Sequence, residues 1–213
     1  MKTDDLIALL AAGEGPVDRH ALVRRLTLAL LGGALGAVLM TVAVYGVRDD
    51  LAWVARTPLF WAKLALPGSL ALLALWLTQR LARPGVRGGA VWGLLGLPLL
   101  LVWLGAVASL LGAPEGARAE LILGRTWRTC PLNIALLSVP TLIAVCWALR
   151  GLAPTHLRQA GGVGGLLAGA TGTLAYCLHC PEMGVPFWGL WYVLGMLLPT
   201  LLGTLLGPRM LRW

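Results

Sequence analysis

The sequence predicts an all-α polytopic membrane protein with six transmembrane helices and a short N-terminal cytoplasmic helical segment. The mean hydropathy is +0.81, and only 12% of the 213 residues are charged, whereas about a quarter are charged in a soluble globular domain. Six apolar runs approach the roughly 20 residues that a helix needs to cross a hydrocarbon core of about 30 Å. They occupy residues 26–47, 59–79, 89–111, 131–149, 160–180 and 187–206. The chain therefore divides into a cytoplasmic segment, residues 1–25, and a transmembrane domain, residues 26–213.

The N-terminal segment contains a short predicted helix with an apolar stripe. Thr3 can cap a helix in which Asp4 and Asp5 lie at the positive end of the helix dipole, and "GEGP" at residues 13–16 ends it. Its apolar residues are Leu6, Ile7, Leu9 and Leu10. Such a short helix is marginal on its own in water, so it needs a surface to pack against. That surface is either the inner membrane face and the underside of the bundle, or a protein partner.

Glycines at four-residue spacing are predicted to pack the spans against one another. They are Gly32 and Gly36 in the first span, and Gly161, Gly165 and Gly169 in the fifth. This spacing places the glycines on one face of each helix, where the missing side chains let two backbones approach closely.

Ionisable residues are scarce inside the spans. Only Lys63 and His179 occur there, and both lie near span ends. Lys63 is predicted to extend outward to the membrane interface. Because ion pathways usually leave ionisable residues at membrane depth, the scarcity argues against ion-coupled transport.

The distribution of Lys and Arg predicts the orientation. If the N-terminus is cytoplasmic, eleven of these residues lie on the cytoplasmic side and five on the opposite side. The eleven are Lys2, Arg19, Arg24, Arg25, Arg80, Arg83, Arg87, Arg150, Arg158, Arg209 and Arg212, and the five are Arg48, Arg56, Arg118, Arg125 and Arg128. An excess of Lys and Arg marks the cytoplasmic side, so both termini are predicted there. The net charge of +8 is dispersed over short loops and forms no face for direct nucleic-acid binding.

Three of the four cysteines are predicted to meet at the outer edge of the membrane. Cys130 precedes the fourth span, and Cys177 and Cys180 end the fifth, whereas Cys146 lies deep in the fourth span and is predicted to be inert packing. The outer face is oxidising in a bacterium, so a pair of thiols there can cycle between dithiol and disulfide or hold a metal. A structural disulfide and unpaired interfacial cysteines are the alternatives.

The same region contains a candidate metal site. Its residues are Cys130, Cys177, His179, Cys180 and Glu182, which together offer sulfur, nitrogen and oxygen donors to a soft metal. A single C-x-x-C lacks the second C-x-x-C of a structural zinc site. We therefore expect no obligatory cofactor, only a transient metal ion at the outer cysteines.

Several segments together resemble a known family. "MKTDDLIALLAA" begins the chain, "CP" opens the fourth span, and "LHCPE" is followed by "FWGLWYVLGMLLP" near the end. With six spans, these features are similar to the NrsF-type membrane anti-sigma factors, negative regulators of extracytoplasmic-function sigma factors in proteobacteria. The likeness covers essentially the whole chain, and its most specific parts are "TDDLI" and "HCPE".

The resemblance implies a multi-pass protein of the bacterial inner membrane that has no enzymatic activity. Its N-terminal segment would hold a sigma factor, with Asp4, Asp5, Leu6, Leu9 and Leu10 as the expected binding residues. Two periplasmic cysteines, here Cys130 and Cys180, would sense metal or oxidative stress and release the sigma factor. Cys177 is an addition to the two-cysteine pattern and leaves the sensing pair open.

A membrane thiol oxidoreductase is the alternative. Such an enzyme would pass electrons from the "CLHC" thiols at residues 177–180 to a quinone. It would need two communicating cysteine pairs, and the second would have to include the lone Cys130. It would also leave "TDDLI" unexplained.

Overall fold

The computed structural model describes residues 3–12, 20–86 and 88–212, and every regular element in these ranges is a helix. In chain order they are α1 (Thr3–Ala12), α2 (Ala21–Met40, continued by a π-helical turn over Thr41–Tyr45), α3 (Leu51–Val54), α4 (Pro58–Leu81), α5 (Val91–Leu94), α6 (Gly96–Gly112), α7 (Glu115–Leu123), α8 (Cys130–Arg150), α9 (Leu157–Tyr176) and α10 (Val185–Met210). The all-helical prediction is confirmed for the described residues.

Five of the described helical segments are long and apolar enough to cross a membrane. They are Ala21–Tyr45, Pro58–Leu81, Val91–Gly112, Cys130–Arg150 and Val185–Met210. Their ends lie within five residues of the predicted first, second, third, fourth and sixth spans. The third comprises α5 and α6, which are separated at Leu95.

The predicted fifth span corresponds to α9, whose composition sets it apart. It has 20 residues and ends at Tyr176, before the predicted end at Cys180. Its glycines lower its hydropathy, so composition alone does not place it among the candidate spans and the count of six is not confirmed. Three quarters of its residues, 15 of 20, are nevertheless buried. It is therefore a central helix of the bundle, surrounded by the more apolar helices.

The glycines of α9 bring it against the backbone of α10. A Cβ on Gly161 would stand against the carbonyl oxygen of Gly203, and one on Gly165 against that of Pro199. A Cβ on Gly169 would lie 3.0 Å from the Cα of Met196. Close packing through these three glycines is therefore confirmed.

The packing of α2 against α8 corrects the predicted glycine face. Gly33, not Gly32, faces α8, because a Cβ on Gly33 would lie 2.6 Å from the Cα of Thr141, whereas one on Gly32 would meet nothing within 4 Å. Gly36 does contact α8, where a Cβ would lie 2.9 Å from the Cβ of Pro140. The prediction was wrong for Gly32 because the helix turns about 100° per residue, and only the partner decides which glycine is covered.

Candidate sensing site

The site lies where the loop between α9 and α10 meets the first turn of α8. Cys130 is the first residue of α8, and Cys177 and Cys180 belong to the loop. All three are fully buried in one cluster of apolar residues, and all carry free thiols. Cys146 also has a free thiol but belongs to a different cluster. The structure thus brings together the three cysteines that the topology predicted to meet.

Two buried tyrosines border the thiols. Tyr176, the last residue of α9, and Tyr192 of α10 have ring centroids 6.1 Å apart. The Sγ of Cys177 lies 3.8 Å from the hydroxyl oxygen of Tyr192, to which it donates a hydrogen bond. Aromatic rings and apolar side chains exclude water here, so reagents do not reach the thiols across an open surface.

Lys63 of α4 is an internal cation of the site, which corrects the prediction that it extends to the interface. Its side chain is fully buried. The ammonium nitrogen donates to the carbonyl oxygens of Cys180, at 2.8 Å, and Glu182, at 2.7 Å. It also lies 5.6 Å from the centroid of the Tyr192 ring, within reach of a cation–π interaction. These carbonyl groups replace water around the charged ammonium group, so Lys63 binds the loop and does not extend to the membrane interface.

A second cation fixes the same loop from the side of α2. Nη1 of Arg48 donates to the carbonyl oxygen of Cys180 at 3.1 Å, and its backbone N–H donates to the carbonyl oxygen of Leu178 at 3.0 Å. Its guanidinium also pairs with Asp50 through bonds of 2.6 and 2.8 Å. The hydrogen bond from Arg48 lowers the pKa of the Asp50 carboxyl below its ordinary value, so the pair stays ionised at neutral pH.

His179 and Glu182 face partners other than the thiols. The Nδ1 of His179 lies 3.2 Å from the carbonyl oxygen of Gly46, close enough to donate a hydrogen bond to it. Oε1 of Glu182 accepts from the backbone N–H of Arg125 at 2.7 Å and lies 3.5 Å from the hydroxyl of Thr126. Both side chains therefore join the loop to neighbouring segments.

The five predicted metal ligands do not form a ligand set in this arrangement. Within the described ranges, no three His, Cys, Asp or Glu side chains are grouped so that they could hold a metal ion. The thiols of Cys130, Cys177 and Cys180 share a cluster, but His179 and Glu182 would have to leave their present partners to join them.

Lys63, Arg48 and Tyr192 are residues of the site that the sequence interpretation missed. One signal was available for Lys63, since a lone ionisable residue within an apolar span marks a functional position by default. Arg48 was considered only as one of the basic residues that set the orientation in the membrane, and nothing in the local sequence distinguishes Tyr192.

The predicted partner-binding helix is present as α1. Asp4 and Asp5 lie in its first turn, and Leu6, Ile7 and Leu9 are exposed, with Leu9 at 68%. The side chain of Leu10 lies outside the described part of the structure. The apolar stripe is thus displayed on α1, which precedes α2 in the chain, whereas the cysteine loop lies beside the C-terminal end of α2. At about 1.5 Å per residue, the 25 residues from Ala21 to Tyr45 extend over roughly 37 Å.

Comparisons with known proteins match all or nearly all of the chain. The family profile described as "Negative regulator of sigma F", NrsF, matches residues 10–213. A protein named probable anti-sigma-F factor NrsF from Azospira oryzae is 48% identical over 213 residues, covering 100% of both chains. The anti-sigma-F factor NrsF of Caulobacter vibrioides is 36% identical over 214 residues, also covering 100% of both. No solved structure matches. The chain therefore belongs to the NrsF family of negative regulators of sigma F.

Proposed function

We propose that this protein is an inner-membrane anti-sigma factor that holds an extracytoplasmic-function sigma factor through residues 1–25 and releases it when its outer thiols react. The observation that carries the proposal is that two unlike features adjoin α2, one before it in the chain and one beside its last turn. An exposed apolar stripe on α1 precedes this helix, and a buried thiol cluster lies beside its far end. The names of the relatives support a sigma factor as the partner. The role is regulatory, with no reaction to catalyse.

The proposed topology has six spans, with α9 as the fifth and both termini in the cytoplasm. An even number of spans returns the chain to the side on which it began. The excess of Lys and Arg on one side supports cytoplasmic termini. The burial of α9 supports its inclusion, because neighbouring helices shield its glycine-rich backbone from lipid. The cysteine loop would then face the periplasm.

This topology predicts which introduced cysteines are labelled from outside the cell. Asp49→Cys, in the exposed loop after α2, should react with a membrane-impermeant maleimide in intact cells. Arg83→Cys, exposed just after α4, should react only after permeabilisation. The native cysteines are buried and give little background. Labelling of Arg83→Cys but not Asp49→Cys in intact cells would show that the orientation is opposite to the proposed one.

We propose Cys130 and Cys180 as the sensing pair, with Cys177 as an alternative member. An oxidant would join two of these thiols in a disulfide, and a soft metal would bind their thiolates. Disulfide formation changes the volume of this buried cluster beside Lys63, and binding of a metal cation changes its charge as well. Because packed interiors tolerate such changes poorly, the reaction should alter how the loop sits on the surrounding helices.

Serine substitutions test this pair. Cys130→Ser and Cys180→Ser nearly preserve side-chain size but remove the thiol chemistry, so both variants should insert, hold the sigma factor and fail to release it on treatment with diamide or Cd²⁺. Release is measured as sigma factor leaving washed membranes. Cys146→Ser, which alters a thiol in a separate cluster, is the matched control and should respond like the parent.

A Cys177→Ser variant decides between the two pairings. Loss of the response in this variant, together with parent-like release in either Cys130→Ser or Cys180→Ser, would show that Cys177 belongs to the pair and that we chose one residue wrongly. Release like that of the parent in all three single variants would show that no single one of these thiols is required for the response, which contradicts the proposed sensing pair.

A further inference from the structure

The end of α2 is attached to the cysteine loop at several points. His179 contacts the carbonyl oxygen of Gly46, and the backbone N–H of Arg48 bonds to the carbonyl oxygen of Leu178. The ring of Tyr45 lies 5.3 Å from that of His179 and 6.4 Å from that of Tyr176. A displacement of the loop must therefore act on the last turn of α2.

That last turn is a π-helix. It covers Thr41–Tyr45, and the backbone N–H of Gly46 donates to the carbonyl oxygen of Thr41, five residues earlier, at 3.0 Å. A π-turn contains one residue more than the α-helical turn it replaces, and such turns are often found at functional sites. If the turn converts to α-helical geometry, the extra residue is released and the rest of the helix must shift.

The face of α2 that meets α8 is close-packed around two glycines and contains one unsatisfied polar group. Gly33 and Gly36 lie directly on Thr141 and Pro140, and one turn or more before them the buried Leu26 packs with Ala148. The hydroxyl of Thr141 is buried and has no hydrogen-bond partner among the described residues. An unsatisfied buried hydroxyl carries a desolvation cost. A small shift of α2 that brings a carbonyl oxygen within hydrogen-bond distance of Thr141 would remove this cost.

The other side of the loop is anchored to a helix without this feature. Lys63 bonds two carbonyl groups of the loop from within α4. The described part of α4 is α-helical from Pro58 to Leu81, with no π-turn. The two attachments differ: α4 holds the loop, whereas α2 contains an element that can change length.

We propose that α2 transmits the signal, and that the π-turn at Thr41–Tyr45 is the element that rearranges when the thiols react. The thiol reaction moves the Leu178–His179 segment, which pulls on Gly46 and Arg48. The π-turn then resolves, and α2 shifts against α8 by less than the rise of one residue, about 1.5 Å. Because α2 follows the N-terminal segment in the chain, its movement changes how α1 is presented. This inference rests on the proposed function.

A one-residue deletion tests the π-turn. Removing Ala43, which is exposed, lets both ends of α2 keep their resting positions but leaves no extra residue to release. The matched control is Ala43→Leu, which alters the same lipid-facing position and keeps the chain length. Full-length proteins in nanodiscs, loaded with sigma factor, are treated with diamide, whose azo bond takes two electrons and two protons from a thiol pair to give a hydrazine and a disulfide.

Two quantities are measured: the disulfide by mass spectrometry, and the sigma factor that remains bound. The deletion variant should form the disulfide like the control but keep its sigma factor over a period in which the control releases it. Equal release from the two proteins overturns the proposal.

Hydrogen exchange of the unaltered protein provides a test that needs neither a variant nor a sigma factor. Diamide should change the exchange rates of the amides of residues 42–46, whose hydrogen-bond acceptors change in the rearrangement, while leaving those in the middle of α10 unchanged. Unchanged exchange at residues 42–46 despite disulfide formation overturns the proposal, even if the deletion variant fails to fold. A change of exchange at residues 42–46 in a protein that neither binds nor releases a sigma factor would instead refute the proposed function and leave the rearrangement of α2 supported.

Discussion

Replacing Gly165 with Leu is expected to prevent α9 and α10 from packing together. A Cβ at this position would stand against the carbonyl oxygen of Pro199 and lie 2.9 Å from the Cα of Thr200. Backbone cannot rotate away as the tip of a side chain can. The helices would have to separate, so the loss of stability should exceed the roughly 1–3 kcal/mol typical of an overpacked core.

Gly68→Leu is the matched control, because a Cβ on this glycine of α4 meets nothing within 4 Å. Both substitutions add the same apolar side chain and remove a glycine from the interior of a helix, so they differ mainly in the neighbour they meet. Thermal aggregation followed by size-exclusion chromatography in detergent should show a large fall in midpoint for Gly165→Leu and little change for Gly68→Leu. Similar midpoints for the two variants would contradict the close contact between α9 and α10.

The apolar helices were the most predictable part of the fold. The partition of a segment into lipid depends mainly on its own composition and length, so five runs were found to within a few residues. The same argument explains why composition does not identify α9 as a span. Its glycines make it less apolar, although neighbouring helices bury it. The π-turn in α2 could not be predicted, because nothing in "TVAVY" distinguishes it from an ordinary helical turn.

The convergence of the outer cysteines was predictable because it follows from topology alone. Once the number and direction of the spans are assumed, Cys130 and Cys180 must lie at the same end of the bundle. The partners of individual side chains do not follow in this way. Lys63 is long enough to reach either the interface or the loop, and the carbonyl groups that capture it belong to residues more than a hundred positions away.

Replacing Leu9 with Asp is expected to free the sigma factor without any stress and to leave the bundle intact. Leu9 is 68% exposed on α1, so a partner groove is the surface that we propose to cover it. Full burial of a leucine contributes about 1.5–3 kcal/mol, which corresponds to roughly ten- to a hundredfold in affinity. An aspartate lacks this contribution and also places a charge in the apolar groove. The loss of affinity should therefore lie at or beyond the upper end of that range.

Ala8→Asp is the matched control for this substitution, since it adds the same charge one residue away, on the opposite side of α1 from Leu6 and Leu9. The two full-length variants and the parent are compared in nanodiscs for their affinity for the purified sigma factor, and in cells for expression from sigma-dependent promoters. Leu9→Asp should bind the sigma factor about tenfold more weakly or worse, and should raise expression from these promoters without stress. Ala8→Asp should keep the affinity and expression of the parent, because we expect its face of α1 to remain in solvent. Equal weakening by both substitutions would mean that net charge, not the apolar stripe, governs binding, and full binding by Leu9→Asp would place the sigma-factor interface outside α1.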